Sequence, residues 1–150
     1  MITYQVEYIK DMWPSLQPLV FDHWLEVGNF KEDVPLDVDW EQYAEVNNQG
    51  SLQLITARNE DGVLVGYCTD FILNHIHHKA TRYALNDAFF VRKQYRRNCV
   101  GKNLLKCVEN ELIKKGVNVW IVSSKCNKPI TKLFDRLGFK KTDEQYSKVM

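Results

Sequence analysis

A strongly β-forming run, Tyr83 to Val91, passes through the short basic loop Arg96-Arg97-Asn98-Cys99-Val100-Gly101 into an amphipathic helix, Val100 to Lys115. No other stretch restricts the fold as much. In the helix, Val100, Leu104, Leu105, Val108 and Leu112 form one apolar face that needs a sheet to cover it, while Lys102, Lys106, Glu109 and Lys114 face water. A strand that turns directly into a helix also gathers unpaired backbone N–H groups at one spot, where the helix dipole adds partial positive charge. Such a junction suits a pyrophosphate.

The remaining chain supplies the rest of a mixed sheet. Ile2, Tyr4, Val6 and Tyr8 alternate with period 2 as a half-buried strand. Helical spacing begins at Pro18 and stops at Gly28, with Asp11 and Pro14 expected in an irregular lead-in turn. A second short helix is expected over Asp39 to Val46, capped by Asp37 or Asp39. Strands follow at Leu52–Arg58 and Leu64–Ile76 around the turn Asn59–Gly62, and at Thr81–Val91 after the turn His77–Ala80. Val117–Val122 reads as a buried strand, and Pro129 to Leu137 as a helix ended by Gly138. A closing hairpin is expected from Phe139–Lys141 and Gln145–Val149. The order β-α-α-β-β-β-α-β-α-β-β predicts one α/β (α+β) domain with about seven strands and helices on both faces.

Length and composition agree with a single domain: 150 residues at 45% hydrophobic content close a core without staples. No run approaches a membrane helix and no signal sequence is visible. Four cysteines, without a CxxC pair, read as reduced thiols, so a cytoplasmic location is expected. Residues 1–75 hold thirteen Asp and Glu against three Lys and Arg, and residues 76–150 hold six against seventeen. The basic half carries the anion loop, and the acidic half suits a cationic partner.

Two segments together give a family resemblance. Val91-Arg-Lys-Gln-Tyr95-Arg96-Arg97-Asn98-Cys99-Val100-Gly101 is similar to the Arg-Gly-x-Gly-Ile-Gly loop of the GCN5-related N-acetyltransferases (GNAT), and Asn127, Phe134, Gly138 and Phe139 fit that family's Asn-x-x-Ala-x-x-x-Tyr-x-x-x-Gly-Phe pattern. The resemblance implies a mostly antiparallel central sheet, acetyl-CoA as co-substrate with no metal, and direct transfer of its acetyl group to an amine. It implies that Phe89, Phe90 and Val91 present backbone to the pantetheine arm. The loop residues Arg96, Arg97, Asn98, Cys99, Val100, Gly101 and Lys102 would then hold the pyrophosphate, with Asn127 bonding the arm. Two departures stand out. Cys99 replaces the loop's first glycine, and Phe134 stands where many members carry a proton-donating Tyr.

Asp87, four residues before Val91, resembles in placement a carboxylate that several members use as general base. Its alternative is an ion pair with Arg82 or Arg92. His75, His77 and His78 form a rival cluster, read as an exposed hairpin, as a base or substrate contact through His75, or as a metal site. Tyr146 is a further proton-donor candidate, with Cys126 and water. Trp13, Trp24, Trp40 and Tyr43 can wall an acceptor pocket or belong to the core. The acceptor expected is an amine-bearing small molecule or a basic protein segment. A non-catalytic CoA-binding or interaction module is the alternative. Nucleic-acid binding through the basic half has the acidic half against it, and C-terminal edge strands offer a surface for a homodimer.

Overall fold

In the computed structural model, which describes residues 1–150, the period-2 segments form one five-stranded sheet. Its strands are β1 (Thr3–Glu7), β2 (Leu52–Arg58), β3 (Leu64–His75), β4 (His78–Val91) and β5 (Val119–Ile121), in that spatial order. Neighbours pair antiparallel except β5, which joins β4 in parallel. Helices α1 (Ile9–Val27) and α2 (Trp40–Asn48) precede β2, α3 (Val100–Lys114) follows β4, and α4 (Thr131–Arg136) follows β5. The result is the mixed α/β architecture expected from the sequence, with fewer strands.

Two cores lie on opposite faces of the sheet. Ile9, Met12, Leu16 and Leu19 of α1 pack with Leu52, Leu54, Leu64, Tyr67 and Phe90, and Trp40 and Tyr43 of α2 lean against them. On the other side Val100, Leu104, Leu105, Val108 and Leu112 of α3 pack with Ile55, Ala57, Val65, Cys68, Ile72, Ala84, Val91 and Phe134. Strands β2 and β3 are covered on both faces, which explains their nearly continuous apolar runs. No helix is long and apolar enough to cross a membrane.

Several boundaries move from those expected. Helix α1 starts at Ile9 and contains both Pro14 and Pro18. Both prolines are exposed, so the carbonyls they leave without an amide partner are open to water, while the buried stripe holds the helix down. Its first amide is tied by Asn47 of α2, whose Oδ1 accepts from Ile9 N–H at 2.9 Å while Nδ2 donates to Leu52 C=O at 2.8 Å. The Asp39 carboxylate caps α2 by accepting from Gln42 N–H at 2.9 Å. β4 begins at His78, so the β3–β4 turn is only Ile76-His77. Helix α4 begins at Thr131 rather than Pro129, and β5 is three residues long. The C-terminal hairpin is absent: residues 140–150 form no strand and are all exposed, which reduces seven expected strands to five.

Candidate active site

Strands β4 and β5 pair over only three positions, Tyr83↔Val119, Ala84↔Trp120 and Leu85↔Ile121. Beyond them β5 ends and β4 continues alone to Val91, leaving a wedge between the two strands. Arg92 N–H donates to Val65 C=O of β3 at 2.8 Å, and backbone alternation therefore turns the N–H and C=O of Phe89 and Val91 toward the wedge. Val91 C=O accepts from Arg96 Nε at 2.8 Å. The Phe89 peptide groups line the wedge, while the Phe89 and Phe90 rings pack into opposite cores.

The wedge leads to the start of α3. After a 3-10 turn at Lys93–Tyr95, Asn98 (φ 64°) and Cys99 (φ 61°) both take left-handed conformations, and the helix begins at Val100. Asn103 N–H is the first to find its helical acceptor, Cys99 C=O at 2.9 Å, and no side chain caps the helix. The amides from Arg97 to Cys99 donate to no backbone carbonyl, and those of Val100, Gly101 and Lys102 are the free N–H groups of the first helical turn. Gly101 packs closely there: a Cβ on it would lie 3.3 Å from Phe89 Cζ. Arg97 and Lys102 carry no ion pair. Arg96, expected among the phosphate ligands, grips both Glu26 carboxylate oxygens of α1 and lies over the Phe90 ring at 5.3 Å. Glu26 is held below the ordinary carboxylate range chiefly by that guanidinium. A second bridge, Arg92 to Asp22 at 3.0 Å, fastens the same helix to the end of β4.

On the α1–α2 face the central group is Asp87. Across the β3–β4 pair, Thr69 faces Ala88 and Asp70 faces Asn86, so Asp87 is the extra residue of a β-bulge. Simple alternation would put Asp87 on the α3 side with Phe89 and Val91. The bulge turns it instead toward Tyr43 and Thr69, whose hydroxyls both donate to Asp87 Oδ2, the Thr69 bond measuring 2.8 Å. Neither Arg82 nor Arg92 pairs with it: Arg82 donates to Lys115 C=O, and Arg92 bridges Asp22. Asp87 Oδ1 accepts no hydrogen bond within the chain. Burial, followed by the Asp87 charge, pushes the Tyr43 phenol well above its ordinary pKa and keeps it a neutral donor.

Beside this carboxylate, His23 of α1 stacks on Phe90 with ring centroids 4.9 Å apart, and its Nδ1 lies 2.8 Å from Tyr67 Oη. Burial, reinforced by the charge of Lys125, lowers the imidazole pKa to about 4, so the ring is neutral near pH 7. Sequence reasoning passed over both His23 and Tyr67. The available signal was the stripe Ile9, Met12, Leu16, Leu19, His23, in which a lone imidazole continues an apolar helix face at 3–4 spacing.

The other candidates lie apart. His75 sits at the β3–β4 turn in an aromatic cluster with His77, His78 and Tyr83, roughly 30 Å along β4 from Asp87 at about 3.3 Å per residue. No three His, Cys, Asp or Glu side chains come together there or elsewhere as a metal-binding group. Tyr146 is 86% exposed and donates to Glu144. Asn127 is exposed in the tight turn closed by the Lys125–Lys128 bridge. Next to it the Ser124 hydroxyl accepts from Ile130 N–H at 2.8 Å, and no side chain caps α4. Phe134 is buried against Phe139, centroids 5.3 Å apart. Trp13 and Trp40 stack with centroids 5.8 Å apart on the helical side of the Asp87 face.

A sequence model of the acetyltransferase (GNAT) family matches residues 13–139. No curated protein matches the sequence. Among solved structures, an acetyltransferase of Trypanosoma brucei superposes with a TM-score of 0.75 at 17% identity over 100% of both chains. Glucosamine-6-phosphate N-acetyltransferase from Arabidopsis thaliana gives 0.76 at 14% identity, covering 99% of this chain and 98% of that one. An aminoglycoside acetyltransferase from an uncultured soil metagenomic sample, in complex with sisomicin, gives 0.74 at 20% identity, covering 99% and 94%. At these identities the likeness is one of fold.

Proposed function

Because this chain belongs to the acetyltransferase (GNAT) family, we propose that it transfers an acetyl group from acetyl-CoA to the amine of a cationic acceptor. The observation that carries the reading is the convergence on the C-terminal end of β4 of two features. One is a cluster of unpartnered amides at the head of α3. The other is a carboxylate held by two hydroxyls.

Acetyl-CoA supplies an activated acyl carbon, whose C–S bond breaks as the amine nitrogen bonds to it. The chain's own groups divide the remaining work. The Arg97–Lys102 amides, with the Arg97 and Lys102 charges, hold the pyrophosphate. The wedge-facing Phe89 N–H and C=O align the pantetheine arm as an added strand edge. Asp87 Oδ1 accepts the amine proton while Tyr43 and Thr69 fix Oδ2. Phe134 has no proton to give, so the departing thiolate takes one from solvent. The acidic balance of residues 1–75 favours a cationic acceptor, and the sisomicin-bound neighbour acts on one such class of amine.

The buried Phe134 and the outlying Tyr146 favour a second reading, a domain that binds CoA without turnover. Calorimetry with acetyl-CoA on the wild type and Gly101→Glu, followed by a thiol-release assay over polyamines, aminoglycosides and basic peptides, separates the two. Binding lost in the variant together with acceptor-dependent thiol release is the expected result. Binding without release on any amine points to the second reading, and no binding to the wild type overturns both.

A further inference from the structure

The extra residue in β4 has a chemical cause one layer below the surface. A bulge breaks the ladder and leaves backbone carbonyls without their strand partners. Here Asn86 bridges the break: its Nδ2 lies 3.1 Å from Thr69 C=O and 3.3 Å from Ala88 C=O, the backbone positions that frame Asp87. The same nitrogen lies 3.1 Å from Asp70 Oδ1 and 3.3 Å from Cys68 Sγ, so two amide hydrogens are shared among three oxygens and a sulfur.

Asp70 is completely buried, where an unpartnered carboxyl would be very costly. Trp120 Nε1 donates to its Oδ1 at 2.8 Å and Cys68 Sγ to its Oδ2 at 3.4 Å. Trp120 belongs to β5 and is paired with Ala84, one position before the last β4–β5 pair. One buried carboxyl therefore connects the point at which β4 and β5 part to the bulge that turns Asp87 toward the other face.

We propose that Asn86, Asp70 and Trp120 are positioning residues that set the bulge and so aim the Asp87 carboxylate at the acceptor. The proposal rests on the reading of Asp87 as proton acceptor. None of the three touches the reacting atoms. Their effect passes through the sheet, from the α3 side to the α1–α2 side.

The test compares Asn86→Ala, Trp120→Phe and Asp87→Asn in steady-state acetyl transfer. Asn86→Ala is expected to lower kcat about 10- to 100-fold, the cost of a misplaced catalytic group, with KM for acetyl-CoA changed less than about twofold. Added to Asp87→Asn, it is expected to cost nothing further. Trp120→Phe keeps a ring against Phe139 while deleting the indole donor, and is expected to act in the same direction. Should Asn86→Ala fail to fold, Trp120→Phe carries the comparison. Wild-type kcat in these variants, or losses that multiply with Asp87→Asn, overturn the proposal. A crystal structure of Asn86→Ala, or of Trp120→Phe in its place, reads the inference without the reaction. Loss of the Tyr43 and Thr69 contacts to Asp87 is expected, and retention of the bulge with both contacts overturns it. A normal rate in Asp87→Asn would remove the proton-acceptor role alone.

Discussion

The imidazole of His23 lies against the Phe90 ring with planes 22° from parallel, joining α1 to the C-terminal end of β4. Burial and nearby Lys125 bring its pKa to about 4, against about 6.5 in an unfolded chain. Between these values the unfolded state binds more protons, so stability is full above pH 6.5 and is lost as pH falls toward 4. The loss reaches about 3 kcal/mol at the low end. Urea titrations at several pH values should show this slope in the wild type and a flatter one in His23→Phe. Parallel slopes would remove His23 as the source.

Asp87→Asn should lower kcat by about 10²- to 10⁴-fold while acetyl-CoA affinity stays unchanged. Tyr43→Phe, which removes one of the two hydroxyls on Oδ2, should produce a smaller loss of the same kind. Steady-state rates with any acceptor found in the amine screen measure both.

Arg96 is committed to Glu26 and to Val91 C=O, so Arg96→Ala should act on stability first, by about 1 kcal/mol. Acetyl-CoA affinity should depend more on Arg97→Ala and Lys102→Ala, whose losses should shrink as salt rises. Calorimetry at two ionic strengths distinguishes them. A larger affinity loss from Arg96→Ala than from both others would return Arg96 to the phosphate site.

Cys99 occupies a left-handed conformation at φ 61° that costs a non-glycine residue about 1 kcal/mol or more. Part of that gain is offset by the freer unfolded chain of a glycine. Cys99→Gly should therefore leave stability equal or higher by up to about 1 kcal/mol, and acetyl-CoA binding intact. Denaturation midpoints and calorimetry check the two halves of the prediction.

Removing residues 142–150 should shift unfolding by no more than about 0.5 kcal/mol, because every one of them is exposed and none enters a strand. A loss of several degrees in Tm would show that the tail packs on the sheet.

The parts of the site that were legible in the sequence are local. The β4–loop–α3 junction rests on a hydrophobic run, a polar loop and a helical stripe that neighbour one another, and the Asp39 cap needs only Gln42. What escaped was set across the chain. Arg96 meets Glu26 seventy positions away, and no spacing rule links them. The face of Asp87 depends on Asn86 and Asp70, whose partner Trp120 lies on another strand. The expected C-terminal hairpin has strands of only three and five residues, Phe139–Lys141 and Gln145–Val149, too short and with too few apolar side chains to hold a pair on their own. At Pro14 local propensity predicts a turn, and tertiary packing of Ile9 and Met12 overrides it.

The extra residue in β4 also gives that strand slack. Deleting Asp87 alone would restore an even ladder, because Thr69 already faces Ala88 and Asp70 already faces Asn86 on either side of it. Ala84 would stay opposite Ile72 beneath α3, and the exposed Leu85 would stay opposite Phe71. A one-codon loss at this position would thus remove the carboxylate and leave the phase of the longest strand of the protein intact. Replacing the same aspartate with asparagine would keep the bulge and remove only the charge.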